Sequence, residues 1–224
     1  MTLEVFNCEQ GTPEWRACRM GIPTASEFHS VLSGGGGKVR KTYMMKLLGE
    51  RLTGEPMEAF ANAHTQRGQT LEDEPRKLYV RDRWIDMRVH KVGFVRRDIA
   101  GVGRVGCSPD ALVDDDGMIE IKTKLPHLQL EAVLGDRCPP EHLAQCQGAL
   151  WITGRQWLDF ISYWPGLPLF VTRVLPDPEY FAKLCDGVGS FIIELEKLQE
   201  SVSTLPRTAK IDYAMTSNIF TALE

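Results

Sequence analysis

Apolar positions along this chain change period several times, and each change marks an element. Phe28, Val31 and Leu32 fall on one side of a helix that opens at Thr24-Ala25-Ser26-Glu27 and stops at the four glycines 34–37. The Thr24 hydroxyl and Glu27 carboxylate have the spacing of a capping box, so they are expected to close the first turn. Tyr43, Met44, Leu47 and Leu48 recur at helical spacing and predict an amphipathic helix over 42–52. A third helix is expected over 69–80, interrupted by Pro75. A proline beyond the first turn deletes a backbone hydrogen bond, so the helix either kinks there or begins close to Glu72.

The middle of the chain is strand. Residues 92–95, 105–108, 111–113 and 118–122 are short β-type stretches, and Asp114-Asp115-Asp116-Gly117 makes a tight turn between the last two. A helix over 140–151 and strands over 157–163 and 169–174 follow. After Asp177-Pro178, the residues Phe181, Leu184, Cys185, Val188, Phe191, Ile192, Leu195 and Leu198 predict a long helix with one buried face. Helices, a β-meander, a helix with strands and a closing helix together indicate an α/β (mixed α+β) chain, a central mixed β-sheet flanked by helices. With 224 residues, no repeat and no long linker, the expectation is one domain over 1–224, its core at about 15–175 and its C-terminal helix at about 178–201.

Composition narrows the class. At 43% apolar and 25% charged residues the chain reads as a soluble globular protein rather than a disordered one. No apolar run approaches the roughly 20 residues that cross a bilayer. Met1-Thr2-Leu3-Glu4 is acidic and lacks an apolar signal region, so a cytoplasmic protein is expected. Six cysteines without a C-x-x-C pair argue against zinc and for free thiols. A net charge of -4 leaves no general attraction to phosphates, so any nucleic-acid contact must be a locally basic groove. The same acidity fits a site that gathers carboxylates around divalent metal.

Such a site is visible in Ser108-Pro109-Asp110 and Glu120-Ile121-Lys122, with nine residues between the two acids. Two antiparallel strands joined by the acidic turn carry one acid each. Strand alternation puts Glu120 and Lys122 on one face and sends Ile121 into the core. If the register sets Asp110 opposite, two carboxylates and an ammonium converge, and the Ile121 carbonyl supplies a further oxygen. Oxygen donors of this kind suit Mg²⁺, and such a centre suits phosphodiester hydrolysis, with Lys122 holding or deprotonating water or countering developing charge. Taken alone, the spacing also fits charged residues beside a solvated hairpin turn.

Further motifs favour the metal-site reading. Trp15, Arg19, Gly21, Thr24, Ala25 and Ser26 form W-x₃-R-x-G-x-x-T-A-S, and Gly68 to Glu72 form G-x-x-x-E. Downstream stand Cys107-Ser108-Pro109-Asp110-Ala111, Glu120-Ile121-Lys122, and Ala144-Gln145-Cys146-Gln147 with Trp151. In order and spacing these motifs resemble the phage lambda exonuclease family, the YqaJ-like viral recombinases, over roughly residues 15–165. The resemblance implies a restriction-endonuclease-like PD-(D/E)-x-K core, two Mg²⁺ ions (Mn²⁺ substituting), and 5′-to-3′ digestion of one strand of linear double-stranded DNA. It also implies release of 5′-mononucleotides, 3′ single-stranded tails for recombination, a ring-shaped homotrimer, a single-strand annealing partner, and work inside the bacterial host of a phage or prophage.

By the same resemblance, Asp110, Glu120 and the Ile121 carbonyl are metal ligands and Lys122 is the catalytic lysine. Glu72 stands near the second metal or attacking water, and Gln145 positions water or phosphate. Arg19 and Ser26 form the 5′-phosphate pocket; apart from the resemblance, Lys38, Arg40 and Lys41, which follow the glycine run, are expected to contribute with Arg19 to the basic inner wall of such a ring. Each residue has a plainer alternative: Ser26 as a capping residue, Glu72 as an exposed helix acid, Arg19 as a surface ion-pair partner. Spacing does not separate Gln145 from Gln147. The histidines 64, 90, 127 and 142 show no ligand spacing. Phe60 is a candidate wedge for opening the end base pairs. Two other readings are a Cas4-like or RecB-like nuclease of the same superfamily and a non-catalytic DNA-binding protein that keeps the fold. The cysteines offer no iron–sulfur cluster spacing, and clustered carboxylates beside phosphates give a pure binder nothing.

Overall fold

The structure, a computed structural model, describes residues 2–33, 37–57, 73–82 and 88–206. Among these, strand β1 (Leu3–Phe6) and helix α1 (Pro13–Arg19) lead into a 3₁₀ turn (Ala25–Glu27), α2 (Phe28–Leu32) and α3 (Lys38–Thr53). Helix α4 (Asp73–Asp82) precedes β2 (Val89–His90), β3 (Phe94–Ile99), β4 (Gly103–Cys107), β5 (Ala111–Val113) and β6 (Gly117–Thr123). Then come α5 (Pro126–Gly135), α6 (Pro140–Thr153), β7 (Trp157–Tyr163), β8 (Phe170–Val174) and α7 (Pro178–Ser203).

The described strands form two sheets. β1-β3-β4 is antiparallel; the other has the order β2-β5-β6-β7-β8, with β6 and β7 parallel and its remaining neighbours antiparallel. Parallel neighbours need a long crossover, and α5 with α6 supplies it between Thr123 and Trp157. The expected meander is therefore divided. β3 and β4 pair in one sheet, β5 and β6 in the other. The chain changes sheets at Ser108-Pro109-Asp110, where Pro109 has no N–H to continue a ladder. The candidate site segment thus sits at a seam.

β6 is buried on both faces. Met118 and Glu120 face the larger core, where Phe28, Leu47, Leu150, Phe160 and Phe191 pack; Ile119 and Ile121 face a smaller cluster with Tyr79, Trp157 and Ile161. The larger core draws the Thr24–Phe28 segment onto α6. Gly148 makes that approach possible, since a Cβ there would lie 2.5 Å from the Phe28 ring.

Several expectations change. Thr24 caps nothing with its side chain: its Oγ1 meets Ser26 Oγ at 3.2 Å, and Glu27 accepts from Ser30 Oγ at 3.0 Å. The Thr24 backbone is already fixed by Tyr43 Oη and by a bridge to Gly106, and its carbonyl closes a 3₁₀ turn onto Glu27 N at 2.9 Å. The helix expected at 42 starts at Lys38. Pro75 lies within α4 among the described residues. Cys185 is exposed rather than inward. Strand β1 and helices α1 and α5 are additions to the sequence reading. Among the described residues no helix is long and apolar enough to cross a membrane.

Candidate active site

Strand alternation on β6 sets the chemistry in place. Glu120 is 4% exposed, and Lys122, two residues on, reaches it with Nζ 2.7 Å from Oε1. Gln145, on the face of α6 that meets the sheet, donates from Nε2 to the same oxygen. Among the described residues Glu120 Oε2 accepts no hydrogen bond. Asp110 stands one residue before β5, and the Ala111–Ile119 pairing brings it level with Glu120. Its amide donates to the Ile119 carbonyl at 3.2 Å, and its Oδ2 accepts the Ile121 N–H. Arg76 of α4 donates to the Asp110 carbonyl at 3.4 Å. The Ile121 side chain enters the smaller apolar cluster, as alternation requires.

These groups line a cleft of about 220 Å³, and Arg19 and Ser26 line it as well. Arg19 ends α1 with its guanidinium 4.2 Å from the centre of the Trp15 ring. The guanidinium forms no ion pair or hydrogen bond among the described residues. Burial draws its pKa down, opposed by Tyr43, Glu50 and Glu27, yet an arginine remains a cation. Lys122 is the opposite case. Burial disfavours its charge, but Glu120 and Asp110 outweigh that and hold the ammonium above its ordinary range. Burial, then Glu120, pushes the Cys107 thiol far up, so it is inert.

The structure separates the two glutamines. Gln147 is spent on the β8–α7 connection, donating to Leu175 O at 2.8 Å and accepting from Asp177 N at 3.0 Å; Gln145 reaches the cleft. Lys38 and Lys41 are exposed on the first turn of α3 and do not line the cleft. Arg40 is held by Glu194 at 2.6 Å. Glu72, Phe60 and His64 lie outside the described residues.

Sequence reasoning gave no role to Gln10, Trp15 and Ser108, which also line the cleft. Gln10 Nε2 donates to Val92 O and Pro109 O at 3.1 and 3.0 Å. The four-residue spacing of Trp15 and Arg19 on α1 was the signal that could have paired them. His142, one turn before Gln145, stacks on Phe160 with ring centres 5.2 Å apart. Burial, then Lys124 and Lys122, lowers its pKa to about 4, so it is neutral near pH 7.

The donor set fits a hard cation. Two carboxylates, Glu120 on β6 and Asp110 just before the paired β5, one with an oxygen open, offer oxygen ligands. Among the described residues no group of three or more His, Cys, Asp or Glu side chains is placed to hold an ion. That excludes from them an all-side-chain zinc-type cage.

The family model of the YqaJ-like viral recombinase domain matches residues 14–156. The chain belongs to this family. The YqaJ-like region runs from α1 to the end of α6 and so contains Arg19, Ser26, Asp110, Glu120, Lys122 and Gln145. An alkaline exonuclease, LHK-Exo from Laribacter hongkongensis, is similar in structure at TM-score 0.77 and 36% identity, over 86% of this chain and 96% of that one. The structure of LHK-Exo in complex with dAMP gives the same identity and TM-score over 85% and 96%. A phage related exonuclease from Haemophilus somnus 129PT shares the fold at TM-score 0.51 and 15% identity, over 79% and 95%. No curated protein matches the chain. This YqaJ-like chain therefore stands among the alkaline exonucleases.

Proposed function

We propose that the chain is a Mg²⁺-dependent exonuclease that digests one strand of linear double-stranded DNA from its 5′ end, releasing 5′-mononucleotides and leaving 3′ single-stranded tails. The observation that carries this reading is the convergence of Asp110, Glu120, Lys122, Gln145 and the unpaired Arg19 on one cleft. LHK-Exo binds dAMP, a molecule of the class such cleavage would release.

Asp110 and Glu120, with the Ile121 carbonyl, would hold the cation. When bound, Mg²⁺ supplies charge neutralisation at the phosphate and a more acidic water. Lys122, held charged in the cleft, presents its N–H groups to the phosphate under attack and offsets the negative charge that builds there. Gln145 fixes the Glu120 carboxylate and offers its amide oxygen to water. Arg19 grips the terminal 5′-phosphate with its planar fork, beside the Ser26 hydroxyl. Glu72, in the segment leading into α4, is assigned to water or a second ion by family resemblance. Lys38 and Lys41 track the DNA backbone; Arg40, tied to Glu194, contributes less directly. A homotrimeric ring would let only its inner wall be basic, consistent with a net charge of -4, and its tails would serve a single-strand annealing partner.

The test is digestion of linear duplex labelled separately at each end of each strand. The expected result is Mg²⁺-dependent release of 5′-labelled mononucleotide first, while the 3′ labels stay on the polymer. Early release of a 3′ label, or release without divalent metal, contradicts the reading.

A further inference from the structure

Trp15 takes no part in the chemistry above, yet it joins the two halves of the cleft. Its ring carries the Arg19 guanidinium at 4.2 Å, a distance at which an indole face attracts a cation. Its Nε1–H is shared between Gly93 O at 3.0 Å and Ser108 Oγ at 2.9 Å. Gly93 immediately precedes β3, and Ser108 stands two residues before Asp110. Gln10 binds the same two segments through Val92 O and Pro109 O, so the indole is anchored to the segment that leads into Asp110, whose carboxylate accepts the Ile121 N–H. The Gly93 end of that anchor is closely packed: a Cβ on Gly93 would lie 2.2 Å from the Cys8 carbonyl oxygen. The Arg19 guanidinium, by contrast, has no ion pair or hydrogen bond among the described residues to hold its position. The ring is what sets it.

We infer that Trp15 is a positioning residue that sets the distance between the 5′-phosphate site and the Asp110 carboxylate, so that preference for phosphorylated ends depends on the indole as well as on Arg19. This rests on the reading of Arg19 as the end-phosphate group. A planar cation stacked on a fixed ring loses little freedom when it grips phosphate; freed from the ring, it must be ordered by the substrate itself. The hydrogen bond to Ser108 ties that geometry to the cutting position. Loss of the ring should therefore weaken discrimination between ends.

The experiment compares kcat and KM on 5′-phosphorylated and 5′-hydroxyl duplexes for the wild type, Trp15→Phe, Trp15→Leu, Arg19→Ala and the Trp15→Leu/Arg19→Ala pair. Circular dichroism confirms folding, and Trp15→Phe, which keeps an aromatic face, guards against collapse of the more drastic variant. The phosphate-to-hydroxyl ratio of kcat/KM should fall about tenfold in Trp15→Leu, the scale of a desolvated cation–π contact. It should fall less in Trp15→Phe, and Trp15→Leu should lower it no further once Arg19 is alanine. A ratio unchanged in Trp15→Leu, with both substrates slowed alike, reduces Trp15 to packing and overturns the inference. So does a further fall in the Arg19→Ala background, which would make Trp15 independent of Arg19. A ratio that survives Arg19→Ala alone removes the end-phosphate reading itself.

Discussion

Glu120 and Asp159 are two buried carboxylates on adjacent parallel strands, and they do opposite things. Glu120 is 4% exposed and Asp159 0%, so burial does not distinguish them. Asp159 pairs in register with Ile119 and so lies on the opposite face of the sheet from Glu120. Arg173 grips both its oxygens, with Nε at 2.8 Å and Nη2 at 3.0 Å, and Tyr79 donates to it at 2.7 Å. The guanidinium in turn lies 3.9 Å from the Trp157 ring centre. That charge is enclosed and matched by a forked partner. At Glu120 the donors Lys122 and Gln145 crowd onto one oxygen, and a second carboxylate and an open cleft stand beside it. A buried acid becomes a candidate for chemistry when its neighbours leave part of it unsatisfied toward a space a substrate can enter.

The largest expected effect tests the open side of this contrast. Glu120→Gln or Lys122→Ala should cut kcat by about 10³-fold, the scale of losing a group that acts on transition-state charge. Thermal unfolding should show the fold intact, and DNA binding by Lys122→Ala should be retained. Full activity in Lys122→Ala would remove that residue from the mechanism. Asp159→Asn should invert the pattern. Breaking a buried pair is expected to lower stability by about 2–3 kcal/mol, at or below the usual range because Arg173 is partly solvated and can be rehydrated. Denaturant titration would read this, while kcat per folded molecule changes less than about twofold, the scale of a few tenths of a kcal/mol. A large loss of kcat without loss of stability would place Asp159 in the chemistry.

The smallest effect concerns His142, which is faced by Lys124, Lys122, Glu141 and His29. Its folded-state pKa of about 4 lies below the ordinary 6.5. Between those values the unfolded chain binds more protons, so stability is fully present above pH 6.5 and is lost as pH falls toward 4. His142→Gln should flatten stability over that window, measured as unfolding midpoint against pH; an unchanged slope would assign the acid sensitivity elsewhere.

Local pattern carried much of this fold. Ala111–Val113 and Trp157–Tyr163 fall where β-type runs place them, and alternation alone put Glu120 and Lys122 together with Ile121 turned away. Long-range partners were not legible. The division into two sheets turns on Ser108-Pro109-Asp110, and β1, whose short stretch Leu3–Phe6 has no strong strand signal of its own, joins the smaller sheet by pairing with β3 across some ninety residues. Helix α5 has leucines on both sides, with Leu130 and Leu134 exposed, so its period was obscured. Arg40 read as a free basic residue because Glu194 lies far along the chain. Asp159 looked like one more residue of an apolar strand, since its partners Tyr79 and Arg173 come from other elements.

The central claim is that Asp110 and Glu120 act together as one divalent-metal site. Calorimetric titration of Mn²⁺, as a stand-in for Mg²⁺, into the wild type, Asp110→Asn and Glu120→Gln addresses it directly. Saturable binding to the wild type, lost in both folded variants, is the predicted result. Equal binding in all three would place the cation elsewhere and contradict the account.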